Sequence, residues 1–445
     1  MRVWYSVDRR AAVVAVAASM ILSIGSSHAL AGSLRDDLRG MFGRVLDLQL
    51  AGSPGGHGAH FRPANVEASG QLITALGELV GSSTGRFGFS STGAGVSYDL
   101  STGVPVATRS SLGPILAERA ETIGRGQINM GWNFSFLNQS MLRGLDLNDV
   151  RFTFTHEDVG LPGLGDSSNE LDTIDMRPRL DIDTNVLVFF GAVGVTDRLD
   201  VGVVVPFVNV QLRANPEAVI NSFTFASNDT ANHYFGGTPT DPVLTSTGPR
   251  IQDDAVGIGD ILVRVKYEFI SSASRGMALM VDVRPPTGDE DDFLGIGHAT
   301  ARFTLIASAA VADFTPHANI AFDYRNSDIE RDRVDLFAGF DQKLYERLTI
   351  AGDVLGRFEV GKRNPATVFP RTAEISRPAG ASTYRRTVSL TNIPDFRSDH
   401  VVDGALGFRF APRRSLLIVG NVLVPLNRGG LRSTIVPTLG VEFTL

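Results

Sequence analysis

Apolar and polar residues alternate along much of this chain, and a period of two predicts β-strands. The pattern is clearest between Gly257 and Arg284, where two alternating runs flank a short turn at Ser271–Ser274. One parity of the first run is apolar throughout and comprises Ile261, Val263, Val265, Tyr267 and Phe269. Two such strands joined by a tight turn predict an antiparallel hairpin.

The opposite parity carries acids and bases in alternation, and later strands repeat this arrangement. A closed barrel in a bilayer accounts for it, because apolar side chains contact lipid while charged ones pair across a wet interior. The charged residues predicted to face this lumen are Asp260, Arg264, Lys266, Glu268, Asp282, Arg284, Arg302, Asp323, Arg325, Asp335, Asp403 and Arg409.

The same pattern predicts an all-β fold, an antiparallel transmembrane β-barrel of about 14 strands, with 12 or 16 as alternatives. An even number is what bacterial single-chain barrels require. The predicted strands are Phe87–Leu100, Gln127–Phe136, Val150–Thr155, Leu180–Phe190, Leu199–Val210, Gly259–Phe269, Met277–Arg284, Ala299–Ala310, Thr315–Tyr324, Val334–Lys343, Leu348–Glu359, Ser398–Phe410, Leu416–Pro425 and Ser433–Leu445.

The connections between these strands alternate in length. If the last strand ends in the periplasm, the periplasmic turns are short and the external loops are mostly long, as in outer-membrane barrels. Only the Leu137–Asn148 connection is long on the periplasmic side. The final strand carries Phe443 and Leu445 on its apolar face, which predicts recognition by the barrel assembly machinery and pairing with the first strand.

The chain before residue 86 follows a different pattern. Arg9 and Arg10 precede the apolar run Ala11–Ile24 and small residues, so residues 1–31 are predicted to be a secretory signal peptide. Residues 32–85 form a small, partly helical N-terminal region that either plugs the lumen, over Leu34–Ser83, or lies in the periplasm. Residues 86–445 are predicted to form the barrel in the outer membrane of a Gram-negative cell.

Composition narrows the choice of partners. The 445 residues carry a net charge of −7 and include no cysteine, so disulfides and thiolate chemistry are excluded. The absence of a basic tract argues against nucleic acid. Arginine supplies nearly all positive charge, which fits either coding bias or contact with phosphates of lipopolysaccharide in the outer-membrane lipid.

The sequence predicts neither a cofactor nor a metal site. His57 and His60 lie in a short Gly-rich stretch without converging ligands. The other histidines are scattered and no Gly-Xaa-Ser-Xaa-Gly motif occurs, so no catalytic residues and no enzymatic activity are predicted.

Three ordered motifs resemble a known family of outer-membrane proteins named after the MetA pathway of phenol degradation. The motifs are Thr196–Gly202 (TDRLDVG), Gly257–Asp260 (GIGD) with Val265–Phe269 (VKYEF), and Arg284–Asp289 (RPPTGD) with Gly295–Gly297 (GIG). The resemblance covers roughly Asn185 to Leu445. It implies an outer-membrane β-barrel that passes small hydrophobic or aromatic compounds, and it brings no catalytic residues.

The function expected from these observations is an outer-membrane channel or facilitator for small, hydrophobic or aromatic molecules. One alternative is a structural or adhesive barrel whose lumen is closed by salt bridges. A lipid-modifying enzyme of the outer membrane is a third reading, which the lack of a Ser/His/acid arrangement disfavours. The transported solute, the oligomeric state and the openness of the pore are not determined by the sequence.

Overall fold

The computed structural model describes residues 32–44, 49–50, 61, 80, 98–99, 106–107, 111–155, 171–272, 274–327, 331–361, 372–379, 382–394 and 399–445. The predicted signal peptide, together with His57 and His60, lies outside the described residues. Among the described residues, no helix has the length and hydrophobicity needed to cross a bilayer.

Twelve antiparallel strands form a closed barrel, so the predicted fold class is confirmed with the lower of its strand numbers. In chain order they are β1 (Ile128–Leu142), β2 (Leu180–Thr196), β3 (Leu199–Ala214), β4 (Leu262–Ser271), β5 (Arg275–Arg284), β6 (Thr300–Ala309), β7 (Phe314–Arg325), β8 (Arg333–Tyr345), β9 (Leu348–Glu359), β10 (Val401–Arg413), β11 (Leu416–Pro425) and β12 (Val436–Thr444).

Closure occurs at β1, which pairs with β2 on one side and with β12 on the other. Phe134 lies opposite both Leu187 of β2 and Leu439 of β12. Because the first and last strands of the barrel pair, the sheet has no open edge, as a bilayer requires.

Two of the predicted barrel strands do not enter the barrel, which corrects the count of about 14. Of the predicted Phe87–Leu100, only Tyr98 and Asp99 lie in the described part of the chain, and they pair with Val106–Ala107. The predicted Val150–Thr155 is a strand over Phe152–Thr155 in a separate sheet. All four of its residues are buried, so it lacks the lipid-facing side of a barrel strand. The barrel therefore begins at Ile128, later than the predicted residue 86.

The two faces of the barrel wall differ as the alternating pattern predicts. On β4, Val263 and Tyr267 are 45% and 48% exposed, whereas Arg264 and Lys266 between them are 6% and 1% exposed. Apolar side chains are exposed in the same way on the other strands described. A continuous apolar band of this extent is unusual for a water-soluble monomer and suits contact with lipid.

The connections sort by length to the two ends of the barrel. One end, here called the short-turn end, carries the hairpins β2–β3, β4–β5, β6–β7, β8–β9 and β10–β11. Each of these hairpins has a turn of two to four residues. The opposite end, the long-loop end, carries all the long connections. The prediction that Leu137–Asn148 is a long connection on the short-turn side is wrong. Strand β1 continues to Leu142, and the chain then reaches β2 at the long-loop end.

Further strands lie outside the barrel circle, most of them at the long-loop end. Ile251–Ile258 continues along β3, while Leu431–Ser433 and Leu145–Asp146 pair with the end of β1. A four-stranded sheet comprises Thr245–Thr247, Glu217–Asn221, Thr173–Arg177 and Phe152–Thr155. Two-stranded pairs are Thr372–Ala379 with Ser382–Ser389, Gly236–Thr238 with Asp241–Val243, and Gln49–Leu50 with His233–Tyr234. A short helix, Phe223–Asn228, follows the N-cap Ser222.

The helix Leu34–Arg44, here α1, packs at the long-loop end. Leu34, Leu38 and Met41 recur at helical spacing and are at most 1% exposed. The guanidinium of Arg35 lies 2.7 Å from the carboxylate of Asp291 in the β5–β6 loop, and its backbone N–H donates to the carbonyl of the same residue. The apolar cluster that contains α1 continues into the strands below.

Candidate functional site

The barrel lumen is crossed by the irregular segment Ser111–Gly124, here called the plug segment. It has no neighbouring strand to pair with, so side chains of the wall accept hydrogen bonds from its backbone N–H groups. The donors and acceptors are Leu112 to Thr349 (3.0 Å), Leu116 and Ala117 to Asp353 (2.9 and 3.1 Å), Glu118 to Asn319 (2.8 Å), Ala120 to Ser308 (3.2 Å) and Ile123 to Asp200 (3.0 Å). These five acceptors lie on four strands, β3, β6, β7 and β9, toward the short-turn end.

Two adjacent side chains of the plug segment form buried ion pairs with the wall. Arg119 donates from Nε to Asp341 of β8 over 2.9 Å, and a second contact joins its Nη2 to the same carboxylate. Glu118 accepts from Arg264 of β4 over 2.6 Å and lies 3.6 Å from Lys266. Removing one partner of such a buried pair costs about 3–5 kcal/mol, because a charge is left uncompensated.

Apolar side chains of the plug segment occupy small hydrophobic patches on an otherwise polar wall. Leu112 packs with residues of β10 and β11, Ile115 with Ala351 and Ala405, and Ala120 with Ala278, Met280 and Ile306 of β5 and β6. The segment is thus held both by charge and by burial of apolar surface.

The plug segment leaves the lumen by passing very close to β2. A Cβ atom at Gly194 would collide with the carbonyl of Gly124, and the N–H of Gly126 donates to the carbonyl of Gly194 over 2.8 Å. Only glycine at position 194 admits this approach. The chain then enters β1 directly.

The segment described in the lumen, Ser111–Gly124, lies outside Leu34–Ser83, the stretch that the sequence analysis offered as a plug. Within that stretch, α1 contacts the β5–β6 loop through Arg35, and the rings of Phe61 and His233 lie 5.5 Å apart. Ser111–Gly124 gave no strand or helix periodicity, so its position depends on contacts with distant strands and not on a local pattern.

The inner wall carries a cross-strand row of charges that alternate in sign, here called the charge ladder. From β4 to β9, residues directly opposite one another are Arg264, Asp282, Arg302, Asp323, Arg333 and Glu359. Opposite charges at facing positions attract, so the ladder stabilises this register. Within it, Arg264 binds Asp282 through both Nε and Nη2, at 2.7 and 2.9 Å.

A cavity of about 90 Å³ lies in the lumen between the plug segment and the long-loop end. Leu116 and Glu118 of the plug segment form part of its lining. Six neighbouring strands each contribute one arginine to it: Arg264, Arg284, Arg302, Arg325, Arg333 and Arg357. Among the described residues, the carboxylates that line it are Glu118, Asp282, Asp323 and Asp335.

Most of the charged residues that were predicted to face the lumen either contact the plug segment or line the cavity. Arg264 and Lys266 contact the plug segment, as does Arg409, whose Nε donates to the carbonyl of Pro114 over 2.6 Å. Glu268 is buried on the inner face of β4, two residues beyond Lys266. Asp282, Arg284, Arg302, Asp323, Arg325 and Asp335 line the cavity. Asp403 binds Arg357 over 2.9 Å beside it.

Asp260, one of the charged residues predicted to face the lumen, binds backbone groups of a loop. It accepts hydrogen bonds from the backbone N–H groups of Thr287, Gly288 and Ile296, at 3.0, 3.0 and 2.9 Å, and so holds the β5–β6 loop. A Cβ at Gly295 would lie 2.7 Å from the Asp260 carboxylate. The GIGD and PTGD motifs therefore form one loop anchor.

Several residues of the lumen were missed from the sequence. Glu118 and Arg119 carried no usable signal, because they lie in an irregular segment. Asp341, Asp353 and Arg357 could have been found, since each lies on the charged parity of a predicted strand. Asp341 and Asp353 flank His317 of β7, at 3.6 and 2.9 Å.

The histidines do not form a nucleophile–base arrangement within the described part of the chain. His233 Nδ1 lies 2.7 Å from Asp172, and Ser222 donates to this same carboxylate over 3.4 Å. In a Ser–His–acid triad the serine instead contacts the other ring nitrogen. No group of three or more metal-ligating side chains occurs among the described residues.

Several solved structures are similar to this chain at low sequence identity. The COG4313 outer membrane channel from Pseudomonas putida F1 is 8% identical, with a TM-score of 0.41, over 73% of this chain and 98% of that one. A FadL homologue from Pseudomonas aeruginosa is 12% identical, with a TM-score of 0.33, over 80% and 97%. The TodX monoaromatic hydrocarbon channel is 9% identical, with a TM-score of 0.32, over 74% and 92%. No curated protein matches the sequence.

One family model matches the chain directly. Its description is "Putative MetA-pathway of phenol degradation", and it covers residues 166–338. This range holds all three motifs on which the resemblance was based, and it runs from just before β2 into β8. The predicted resemblance is thereby confirmed, and residues 166–338 of this chain match the family of the MetA pathway of phenol degradation.

Proposed function

We propose that this protein is an outer-membrane channel for small molecules, in which the plug segment controls passage. The observation that carries the proposal is a closed barrel with an apolar outer face and a charged lumen that holds a cavity next to the irregular plug segment. An inner wall of this polarity is typical of barrels through which water and solutes move. The family resemblance favours small hydrophobic or aromatic solutes.

The proposed setting follows from the outer face. Its apolar band suits outer-membrane lipid, the external loops suit lipopolysaccharide, and the last strand suits the barrel assembly machinery. A signal peptide over residues 1–31 is part of the same proposal.

The plug segment gives the channel a specific test. The Cβ of Ala120 lies 2.9 Å from where a Cβ would stand on Gly276 of β5. Because the protein has no cysteine, the double variant Ala120→Cys/Gly276→Cys can form one defined disulfide after a shift of about 1 Å. In liposomes, small solutes should pass through the wild type and through the reduced variant, while the oxidised variant should block passage.

Matched controls are the two single-cysteine variants, which should conduct equally under oxidising and reducing conditions. If the oxidised double variant conducts as well as the reduced one, the plug segment does not control passage. If folded wild-type protein passes no solute of any size, the channel proposal itself fails.

A second candidate is a structural or adhesive barrel with a permanently closed lumen. The buried pairs Arg119–Asp341 and Glu118–Arg264 favour it, because they hold the plug segment firmly. In that case neither redox state of the double variant would conduct. A lipid-modifying enzyme is not proposed, since Ser222 and His233 both contact the Asp172 carboxylate, an order of contacts that differs from that of a triad.

A further inference from the structure

We propose that Arg347 and Arg413, here called the arginine pair, bind the phosphate of an anionic phospholipid whose acyl chains lie on the outer wall beside them. The inference goes beyond the proposed function, because it needs only a barrel that spans a bilayer and not a channel that conducts. Three features carry it: the short distance between the two arginines, their exposure without ion pairs in the described part of the chain, and the apolar surface that adjoins them.

The arginine pair lies on two turns that are neighbours around the short-turn end. Arg347 is in the β8–β9 turn, Arg413 ends β10, and β9 pairs with β10. The N–H of Ala411 donates to the carbonyl of Arg347 over 2.9 Å, so Arg413 is two residues beyond the position opposite Arg347. With strands about 4.8 Å apart and a rise of about 3.4 Å per residue, the two Cα atoms are roughly 8 Å apart. Two arginine side chains at this spacing can reach one phosphate.

Both guanidiniums of the arginine pair are accessible to a headgroup. Arg347 and Arg413 are exposed, and neither forms an ion pair with any residue that the structure describes. Planar guanidinium forks match the oxygens of a phosphodiester, and a guanidinium is weakly hydrated, so it leaves water at little cost. A choline or ethanolamine group would bring a positive charge that the two guanidiniums repel. The arginine pair therefore favours lipids whose headgroup is negative overall.

The outer wall next to the two turns provides contacts for the acyl chains. Phe408 and Phe410 of β10 are 41% and 40% exposed. They lie opposite Ile350 and Leu348 of β9 on the lipid-facing side. Tyr345, which is 71% exposed, ends β8 beside Leu348. A ring with a hydroxyl suits the boundary between acyl chains and headgroups, so Tyr345 marks the level at which the arginine pair meets the phosphates.

A second turn with the same local sequence lacks the neighbouring arginine and provides a matched control. The β2–β3 turn Asp197–Arg198 has the acid–arginine order of the β8–β9 turn Glu346–Arg347. On the adjacent strand β4, the N–H of Glu268 donates to Arg198, and the N–H of Ser272 donates to Arg275. Arg198 and Arg275 are thus four residues apart along β4 and on opposite sides of it. This separation is too large for the two to share one phosphate.

Quenching of a tryptophan by brominated lipids tests the proposal on the full-length protein in vesicles. Phe410→Trp is the reporter, in a chain whose own tryptophans are removed by Trp4→Phe and Trp132→Phe. The vesicles mix phosphatidylcholine with phosphatidylglycerol, and the acyl chains of one or the other lipid carry the bromine. We expect the reporter to prefer phosphatidylglycerol about tenfold, and the preference to fall at high salt. Equal quenching by the two brominated lipids would overturn the site.

Four variants assign the preference to the arginine pair. Arg347→Gln and Arg413→Gln should each lower it about fivefold, because one basic residue near an anionic surface contributes about that much. Glu346→Gln should raise it severalfold, because a negative charge beside the phosphate is removed. Arg198→Gln removes the same charge from the matched turn and should leave the preference unchanged. An equal loss in Arg198→Gln and Arg413→Gln would show a diffuse effect of charge and overturn the site.

A soluble competitor distinguishes a lipid from a free phosphate ester. Glycerol 1-phosphate carries the phosphate without acyl chains, so at millimolar concentration it should leave the preference for phosphatidylglycerol unchanged. If it abolishes the preference, the site takes free phosphate esters and the lipid assignment is wrong. Folding of each variant is checked by heat-modifiable migration on gels. Should an arginine variant not fold, Glu346→Gln still decides, since an unchanged preference in that variant contradicts the proposal.

Discussion

Replacing Arg119 of the plug segment by methionine should release this segment from the barrel wall. The guanidinium of Arg119 is 2% exposed, and its partner Asp341 is fully buried. Methionine keeps the length and apolar stem of the side chain, but it removes both donors to Asp341 and the donor to Ser111. The change therefore tests charge pairing and not loss of volume.

The expected magnitude follows from the burial of the pair. Breaking one partner of a fully buried ion pair costs about 3–5 kcal/mol. The strands around Asp341 stay paired with their neighbours on both sides, so the cost falls on docking of the plug segment and not on the barrel. At about 1.4 kcal/mol per factor of ten, the ratio of undocked to docked plug should rise by roughly two to three and a half orders of magnitude.

Amide hydrogen exchange reads this ratio directly. The amides of Leu112, Leu116 and Ala120 donate to wall side chains, so each exchanges only when the segment undocks. Their protection should fall by the same factor in Arg119→Met, while amides of β7 and β8 stay protected. Arg385→Gln, which breaks an exposed pair with Glu374, serves as control and should change neither set.

Unchanged protection of the plug amides in a folded Arg119→Met protein would refute this reasoning. It would mean that apolar contacts of Leu112, Ile115 and Ala120 hold the segment without the ion pair. Loss of protection throughout the barrel would refute it as well, because the pair would then stabilise the wall itself.

Two further predictions concern the wall and the loop. Val265→Arg, on the outer face of β4, should destabilise the barrel in lipid vesicles by about 2–4 kcal/mol, whereas Val311→Arg in a short turn should cost at most about 1 kcal/mol. Urea titration of the vesicle-bound protein measures the free energy of unfolding of both variants. Equal losses of stability would contradict a lipid-facing β4. Asp260→Ala should make the β5–β6 loop susceptible to proteolysis, since three backbone N–H groups lose their acceptor. Asp260→Asn should stay resistant because the amide oxygen still accepts hydrogen bonds. Digestion of both variants at the same rate would argue against the loop anchor.

The strands of the barrel wall could be predicted from the sequence, because apolar residues that face outward alternate with polar residues that face the lumen. Val263, Arg264, Val265 and Lys266 alternate between an apolar and a buried polar surface, so the faces are readable without knowing any partner. The same reasoning fails for Phe152–Thr155, where both faces are buried against other parts of the protein. Its sequence alternates, but neither face contacts lipid.

The register of the strands was only partly readable. Charges of opposite sign on successive strands suggested pairing, yet the pairing of Arg264 with Asp282 and of Asp282 with Arg302 emerges from turn lengths and bulges around the whole circle.

The sequence by itself determined the alternation of faces, the order of the strands and the sorting of short turns from long loops. All three depend on residues within a few positions of one another, where spacing alone fixes direction. Only the tertiary structure decided that twelve strands close the wall, that Ser111–Gly124 crosses the lumen, and that Asp260 holds a loop. Those features depend on contacts between residues up to hundreds of positions apart, and such contacts do not produce a periodic pattern in the sequence.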